Sequence, residues 1–416
     1  MKNDAKTTRS LYTVFKQLVQ YIPAGIIPKL SKKYGIQTRK FSVLSQIIAL
    51  LYGHIARAWS LNEICDAAAL HSSQWNTFRE ATPPKRNTFS HANRTRDPNL
   101  AQELYWQTMN HLQSLDSTFT HGRKYSGFIR RFTRDIYAID STVIPLALNC
   151  INWAKHRAEK AAAKTHIRLN IGSFLPCVVI AESAAHHDST RSELLAAGLK
   201  KGDILLADKA YVEFGFLHNL NERGIFFVMR CKDNLCFNII EEREITNPKI
   251  LSDDIIELTG LNTLKKYPSL LRRITAYVEI DGKERQMTFI TNNLEWSPWT
   301  VAELYKSRWL IELFFKELKQ TLQLQDFIGY NENAVKWQIW IGFLAHLILR
   351  FLKHRTGWKH SFSRLVGLLH NGVWVKVDLL WMLMFYGTAR SPNRPEVFAI
   401  QPYFQGFEPY RNIPMG

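Results

Sequence analysis

The hydrophobic spacing between residues 135 and 230 restricts the possible folds more than any other feature of the chain. Five short segments in this stretch are strand-like, with apolar residues in alternation or in a short run, and helical spacing separates the later ones. The strand-like segments are Asp135–Ile144, Lys164–Ser173, Leu175–Glu182, Asp203–Asp208 and Ile225–Arg230. Three strands followed by helix, strand, helix and strand predict an α/β domain built around one sheet.

The sequence that follows continues this domain. Residues 232–295 lose helical spacing and contain strand-like runs, which predicts a β-rich insertion. Ser297 and Pro298 then supply a helix N-cap and a first helical residue, and we predict one long helix from there to about Leu324. This order of elements is typical of a ribonuclease-H-like α/β core with an insertion.

The charge balance indicates the class of partner. The chain has 54 Lys and Arg against 36 Asp and Glu, a formal net charge of +18. The basic residues recur in clusters along the chain, so we expect a folded basic surface that follows an extended polyanion such as DNA. Scattered solubilising charge is the alternative, but it would not need a surplus of this size. We expect no membrane partner, because the uncharged apolar stretches are shorter than a bilayer span requires. Five scattered cysteines favour a reducing, cytoplasmic location.

The region before residue 125 is predicted to be mostly helical and to contain a DNA-reading element. After the Pro83-Pro84 break, residues 87–94 can open a short helix that carries Arg94 and Arg96, and both arginines are candidate DNA contacts. Any helical bundle with surface arginines would give a similar pattern. The predicted division of the chain is a helical N-terminal DNA-binding domain at 1–125, a ribonuclease-H-like catalytic domain at 126–350 with its insertion at about 232–295, and a helical C-terminal region with a proline-rich tail at 351–416.

Three acidic residues fall where the predicted elements can bring them together. Asp140 lies in the first strand, Asp208 closes the fourth predicted strand, and Glu312 lies on the long helix. An Asp at the end of a strand is more often a turn or cap residue. Burying charge near the centre of a sheet is costly unless a cation compensates, however, and three carboxylates are a sufficient cage for two Mg²⁺ or Mn²⁺ ions. We therefore interpret the three residues as metal ligands for phosphodiester cleavage or transfer.

The long helix carries the most specific pattern. Tyr305, Arg308, Glu312 and Lys319 are separated by three, four and seven residues, and these offsets return to one helical face. A carboxylate flanked by two cations suits a site that holds both a metal ion and a DNA phosphate. The alternative is an ordinary surface ion pair between Arg308 and Glu312.

This pattern resembles the signature of the insertion-sequence-four family of DDE transposases. The signature is written here as Tyr305-x2-Arg308-x3-Glu312-x6-Lys319. Further segments resemble the rest of the family pattern, and the first two of them carry the first and second catalytic Asp: Tyr137–Thr142, Leu206–Tyr211, Lys164–His166 and His187–Asp188. The likeness covers roughly residues 135–324.

The resemblance implies a catalytic role for Asp140, Asp208 and Glu312, which would hold two Mg²⁺ or Mn²⁺ ions. It implies that the cationic and phenolic side chains of the signature contact terminal DNA phosphates. It also makes Trp296 and Trp299 candidates to stack on a flipped base, although core packing is the more common role for either. The implied reaction is cut-and-paste transposition through a DNA hairpin. The implied partners are terminal inverted repeats, target DNA and a second copy of the chain in a synaptic complex, in the cytoplasm of a bacterium and on the nucleoid when bound to DNA.

Two alternative functions share part of this pattern. A DNA-binding regulator derived from a transposase would have lost catalysis, and the presence of all three carboxylates argues against it. A nuclease that hydrolyses DNA without strand transfer would not need the signature from Tyr305 to Lys319.

Overall fold

The structure is a computed structural model of the chain, and the residues it describes are 9–38, 40–58, 60–78, 81–119, 132–146, 155–157, 160–184, 188–280, 282–322, 329 and 331–386. The predicted proline-rich tail and His187 lie outside these residues.

Seven helices precede the sheet in the described part of the chain. They are α1 (Val14–Val19), α2 (Ile26–Lys33), α3 (Val43–Ala56), α4 (Leu61–Leu70), α5 (Ser72–Trp75), α6 (Arg86–Thr95) and α7 (Asn99–Leu115). Side-chain caps start three of them: the hydroxyl of Thr13 accepts the Lys16 N–H at 3.2 Å, that of Ser42 accepts the Ser45 N–H at 3.0 Å, and that of Ser60 accepts the Glu63 N–H at 3.1 Å. The predicted helices around residues 41–58 and 87–94 are confirmed as α3 and α6.

The middle of the chain forms one mixed sheet with three short helices. The strands are β1 (Ile136–Leu146), β2 (Lys155–Arg157), β3 (Lys160–Asn170), β4 (Leu175–Ser183), β5 (Ile204–Ala207), β6 (Phe226–Arg230), β7 (Phe237–Glu242), β8 (Ile250–Leu258), β9 (Leu271–Ile280) and β10 (Lys283–Thr291), and the helices are α8 (Ser192–Ala196), α9 (Phe214–Glu222) and α10 (Leu261–Lys266). The five predicted strands correspond to β1, β3, β4, β5 and β6. The strand order is β2-β3-β1-β5-β6-β10-β9-β8-β7, and β4 also pairs with β3.

The predicted insertion is β-rich, and it extends the central sheet. Strand β10 pairs with β6 in an antiparallel register, so the antiparallel strands β7 to β10 continue the sheet from its β6 edge. The three neighbouring strands β1, β5 and β6 are parallel to one another. Strand β3, on the far side of β1 from β5, is antiparallel to β1. Parallel neighbours need helical crossovers, and α8 and α9 occupy those connections.

The sheet is covered on both faces around β1, where successive residues point to opposite sides and enter two different cores. Ala138 belongs to a large apolar core shared with the helices before and after the sheet. Its neighbour Ile139 belongs to a second core, formed with residues of α8 and α9 and with Tyr267, which follows α10. The site described below lies on the face of the sheet that includes Ala138, the one covered by the helices before and after the sheet.

The C-terminal part is helical and differs from the prediction in one respect. It contains α11 (Pro298–Ser307), α12 (Trp309–Lys316), a π-helical turn (Glu317–Thr321), α13 (Glu332–Arg355), α14 (Phe362–Gly372) and α15 (Leu379–Phe385). A single regular helix from Ser297 to Leu324 is therefore wrong, although Ser297 does cap α11 and Pro298 opens it. The hydroxyl of Ser307 donates to the Leu304 carbonyl at 2.6 Å, and such back-bonding competes with the helical ladder just before Arg308.

Helix α13 is long and apolar enough to cross a bilayer by length and composition alone. In this protein 89% of its most apolar window is buried, as in the core helix of a globular domain.

Candidate active site

The register of two parallel strands places two aspartates side by side. Ile139 of β1 is paired with Ala207 of β5. Asp140 and Asp208 directly follow these two paired residues in the sequence. Each carboxylate also accepts the N–H of the residue that follows it: Asp140 from Ser141 at 2.8 Å and Asp208 from Lys209 at 2.7 Å. These local hydrogen bonds hold the two carboxylates in place directly after the paired residues of the central strands β1 and β5.

The helical pair α11 and α12 brings the third carboxylate and its neighbours over these aspartates. The Arg308 guanidinium donates to Asp140 Oδ2 at 3.2 Å and to Glu312 Oε1 at 2.6 Å. The Tyr305 hydroxyl lies 3.4 Å from Asp208 Oδ1. The interruption before Arg308 does not separate these residues, because Arg308 keeps α-helical backbone angles, with φ −55° and ψ −30°. The structure thus brings the three carboxylates, Tyr305 and Arg308 into one cluster.

Lys319 reaches the same strand further along. Its ammonium group donates to the Val143 carbonyl of β1 at 2.8 Å, three residues beyond Asp140. Lys319 lies on the π turn, and single π turns are frequent at functional sites because they change which residues share a helical face. Each of the four signature residues therefore contacts either another signature residue, a residue of β1 or Asp208, which follows β5. A surface ion pair between Arg308 and Glu312 would need no contact with the sheet. Arg308 is only 13% exposed.

Burial and like charge perturb the ionisation of Asp140. Burial raises its pKa to about 6, and the carboxylates of Glu312 and Asp208 add to the rise, while Arg308 and the Ser141 N–H oppose it. Burial opposes the charged form of Arg308, but its anionic neighbours raise its pKa above the ordinary value. The arginine is accordingly charged, and burial makes the ionisation of Asp140 costly.

Burial also shifts the pKa values of Tyr305 and Lys319. It raises the pKa of Tyr305 to about 12, so this phenol is neutral and can donate a hydrogen bond. It lowers the pKa of Lys319.

The chemistry of the cluster fits a hard divalent cation. Asp140, Asp208 and Glu312 supply carboxylate oxygens, which Mg²⁺ and Mn²⁺ prefer. Burial makes the charge of Asp140 costly, as its raised pKa indicates, and a bound cation would offset that cost. Among the described residues, no three Asp, Glu, His or Cys side chains already lie close enough to share one ion. The Arg308 guanidinium lies between Asp140 and Glu312, and it would have to move for both to hold the same ion.

A charged network lies behind Asp140, and the sequence indicated it only through the family resemblance. Asp188 accepts a hydrogen bond from the Ser141 hydroxyl at 2.6 Å and lies 2.9 Å from the Lys164 ammonium group. Burial would raise the pKa of Asp188, but hydrogen bonds from Ser141 and Lys164 hold it below the ordinary value. His166 is fully buried, 3.2 Å from Glu182, and burial lowers its pKa. This network fixes the residue that follows Asp140 in β1.

Other predicted residues lie outside this cluster. Arg94 is exposed on α6, whereas Arg96 is half-buried and donates to the Ser42 carbonyl at 3.1 Å and to Gln46 Oε1 at 2.8 Å. Trp296 packs its ring against Phe226, with centroids 5.2 Å apart. A DNA contact of Arg94 or Arg96 stays a prediction.

The sequence is similar to known transposases. The model of the family described as a transposase DDE domain matches residues 131–348, more than half of the chain, and a model described as a domain of unknown function matches residues 10–76. The probable transposase for insertion sequence element IS5377 of Geobacillus stearothermophilus is 25% identical over 79% of this chain and 85% of its own length. The putative transposase y4zB of Sinorhizobium fredii is 31% identical over 51% of this chain and 59% of its own length.

The fold also aligns with a piggyBac transposase, solved as a synaptic complex with hairpin DNA, at a TM-score of 0.44 and 8% identity over 88% of this chain and 81% of that chain. Similarity at that level carries no information on function. The family match spans β1, β5 and the helices that carry the clustered residues. The chain belongs to the DDE transposases of the insertion-sequence-four family, and it is a metal-dependent enzyme of DNA cleavage and strand transfer.

Proposed function

We propose that the protein excises and inserts an insertion sequence by a cut-and-paste route, with Asp140, Asp208 and Glu312 as the catalytic carboxylates. The observation that supports this most is the contact of Arg308 with both Asp140 and Glu312, 168 and 4 residues away in the chain. These three carboxylates would hold two Mg²⁺ or Mn²⁺ ions, which when bound activate the attacking oxygen and stabilise the departing one.

The protein's own residues would position the DNA. Arg308 and Lys319 are cations beside the carboxylates, and once displaced from Asp140 and Val143 they can each hold a phosphate oxygen. Arg308 can do so through two hydrogen bonds, since its planar fork matches a phosphate. Tyr305, neutral because burial raises its pKa, can donate one more. The resemblance to the insertion-sequence-four family implies a hairpin intermediate, which we include in the proposal; Arg308 and Lys319 would hold the phosphates of its bent strand.

The proposal extends to fold, partners and place of action. The sheet order β4-β3-β1-β5-β6, with β5 and β6 parallel to β1, supports a ribonuclease-H-like core at residues 126–350, flanked by the helical parts 1–125 and 351–416. We propose that the enzyme binds terminal inverted repeats and target DNA as a homodimer in a synaptic complex. It would work in the bacterial cytoplasm, on the nucleoid.

The test uses duplexes made from the DNA that flanks the gene. Asp140→Asn, Asp208→Asn and Glu312→Gln should each abolish nicking in Mg²⁺ while leaving binding to these duplexes within about twofold of wild type, because the cations rather than the carboxylates hold phosphates. Asp233→Asn is the matched control, since that carboxylate is 84% exposed and its ion pair among the described residues is with Lys209. A carboxylate variant that nicks the DNA at the control's rate would remove that residue from the proposed site.

A further inference from the structure

Helix α6 has one buried and one exposed face of different chemistry. Phe89, Ala92 and Asn93 are buried against the helical core. The opposite face is exposed and polar, with side chains at offsets of three, four and seven residues: Asn87, Ser90, His91 and Arg94. These offsets place the four side chains in one row along the helix.

The charge around this face suits a polyanion. Residues 81–96 contain four basic side chains and no acidic one. One of the four, Arg96, turns inward, so the positive charge on the outer side comes from Lys85, Arg86 and Arg94, all of them exposed. The exposed row ends in Arg94 and begins with Asn87. Arginine and asparagine are the side chains that pair through two hydrogen bonds with guanine and adenine in the major groove.

The C-terminal end of α6 is held firmly by the rest of the protein. The side-chain amides of Asn331 and Asn333 donate to the Arg94 carbonyl at 3.1 and 3.0 Å. The indole of Trp337 donates to the Arg96 carbonyl at 3.0 Å. Asn331 lies just before α13, and Asn333 and Trp337 lie in its first turns. The same helix also carries His346, further along.

This attachment links the helix to the catalytic side of the protein. His346 lies 2.9 Å from Glu317, on the π turn that also carries Lys319. The row on α6 is therefore supported by a long helix that contacts the π turn carrying Lys319. A side chain that reads base edges requires such support, since a displacement of about 1 Å breaks its hydrogen bonds.

We propose that α6 enters the major groove of duplex DNA and reads base edges, with Asn87 on an adenine and Arg94 on a guanine. The groove admits an α-helix, and the positive charge beside the row matches the phosphates that flank it. Arg96 does not read DNA in this arrangement; it anchors the helix to α3. The inference rests on the proposed function only in taking DNA as the partner, and it concerns a surface distinct from the carboxylate cluster.

The experiment is selection of binding sequences from a pool of random duplexes by the full chain in EDTA, so that no cleavage occurs. Wild type should select a motif. Asn87→Ala should relax it at one position occupied by adenine and Arg94→Ala at one occupied by guanine, each lowering discrimination by about 5- to 150-fold. Lys29→Ala is the control, because it removes one exposed positive charge from α2 without touching α6, and its selected motif should be that of wild type.

Several results would overturn the inference. They are an unchanged motif in both α6 variants, an equal loss at every position, or no motif selected by wild type. The proposed function fails separately: a protein that selects a motif through α6 and never nicks it in Mg²⁺ would contradict the transposase mechanism and leave the α6 assignment intact.

Discussion

The carboxyl of Asp140 should make the metal-free protein less stable, and replacing it by the isosteric amide should reverse this. Its pKa is raised from 3.8 to about 6 by burial and by Glu312 and Asp208. An unfolded chain ionises this group near its ordinary pKa, whereas the folded protein holds the proton until about pH 6. Below about pH 4 the carboxyl is protonated in both states and does not lower the free energy of unfolding. As the pH rises from about 4 to about 6, the unfolded chain releases the proton first, and the free energy of unfolding falls. Above pH 6 the penalty is complete.

The magnitude follows from the pKa difference. At about 1.4 kcal/mol per pKa unit, the difference between 3.8 and about 6 corresponds to a penalty of about 3 kcal/mol at pH 8. The side chain is 23% exposed, so solvent screening lowers this figure, and we expect Asp140→Asn to gain about 1–3 kcal/mol. The amide is uncharged at every pH and cannot take on the penalty.

Thermal unfolding in EDTA at pH 4 and pH 8 measures the effect. The Asp140→Asn variant should melt above wild type at pH 8, with a smaller difference at pH 4, and Asp233→Asn should match wild type at both. Adding Mg²⁺ at pH 8 should raise the melting temperature of wild type more than that of the variant, because bound cation removes the repulsion only where the carboxylate remains. A variant that is less stable than wild type at pH 8 in EDTA would refute the reasoning, since Asp140 would then be stabilised by Arg308 more than it is destabilised by burial.

Three further predictions concern the basic residues. Arg308→Ala and Lys319→Ala should spare the first nick more than hairpin formation on a labelled transposon end, with Arg308→Ala the more severe; equal loss of nicked, hairpinned and double-strand-cut products in a gel would contradict a hairpin-holding role. Arg96→Ala should lower the free energy of unfolding by about 1–3 kcal/mol in urea titrations, because the carbonyls of Phe41 and Ser42 lose their donor, whereas Lys29→Ala should change it little. Binding to duplex DNA should weaken steeply with salt, with log K falling by about 0.9 per decade of salt for each phosphate contacted; a flat titration would mean that the surplus of positive charge does not face DNA.

Features that depend on neighbouring residues in the chain could be predicted from the sequence. The alternation around Asp140 and the apolar run before Asp208 predicted strands, and the structure has strands there. The Ser297 cap and the offsets from Tyr305 to Glu312 are likewise set by helical geometry within a few residues. Local periodicity is a property of the chain itself, so a sequence determines it before any tertiary contact forms.

Features that depend on distant pairing were decided only by the tertiary structure. The sequence did not indicate that Ile139 pairs with Ala207, which sets Asp140 beside Asp208, or that β10 joins β6 and continues the central sheet. Arg94 and Arg96 are two residues apart and look alike in the sequence, yet one is exposed and the other is bound to α3. Register and side-chain direction are fixed by which partner surface each residue meets, and that partner is supplied by a part of the chain far away in sequence. The predicted site residues therefore came from the sequence pattern and the family resemblance, and their convergence came from the pairing of strands and the packing of α11 and α12 on the sheet.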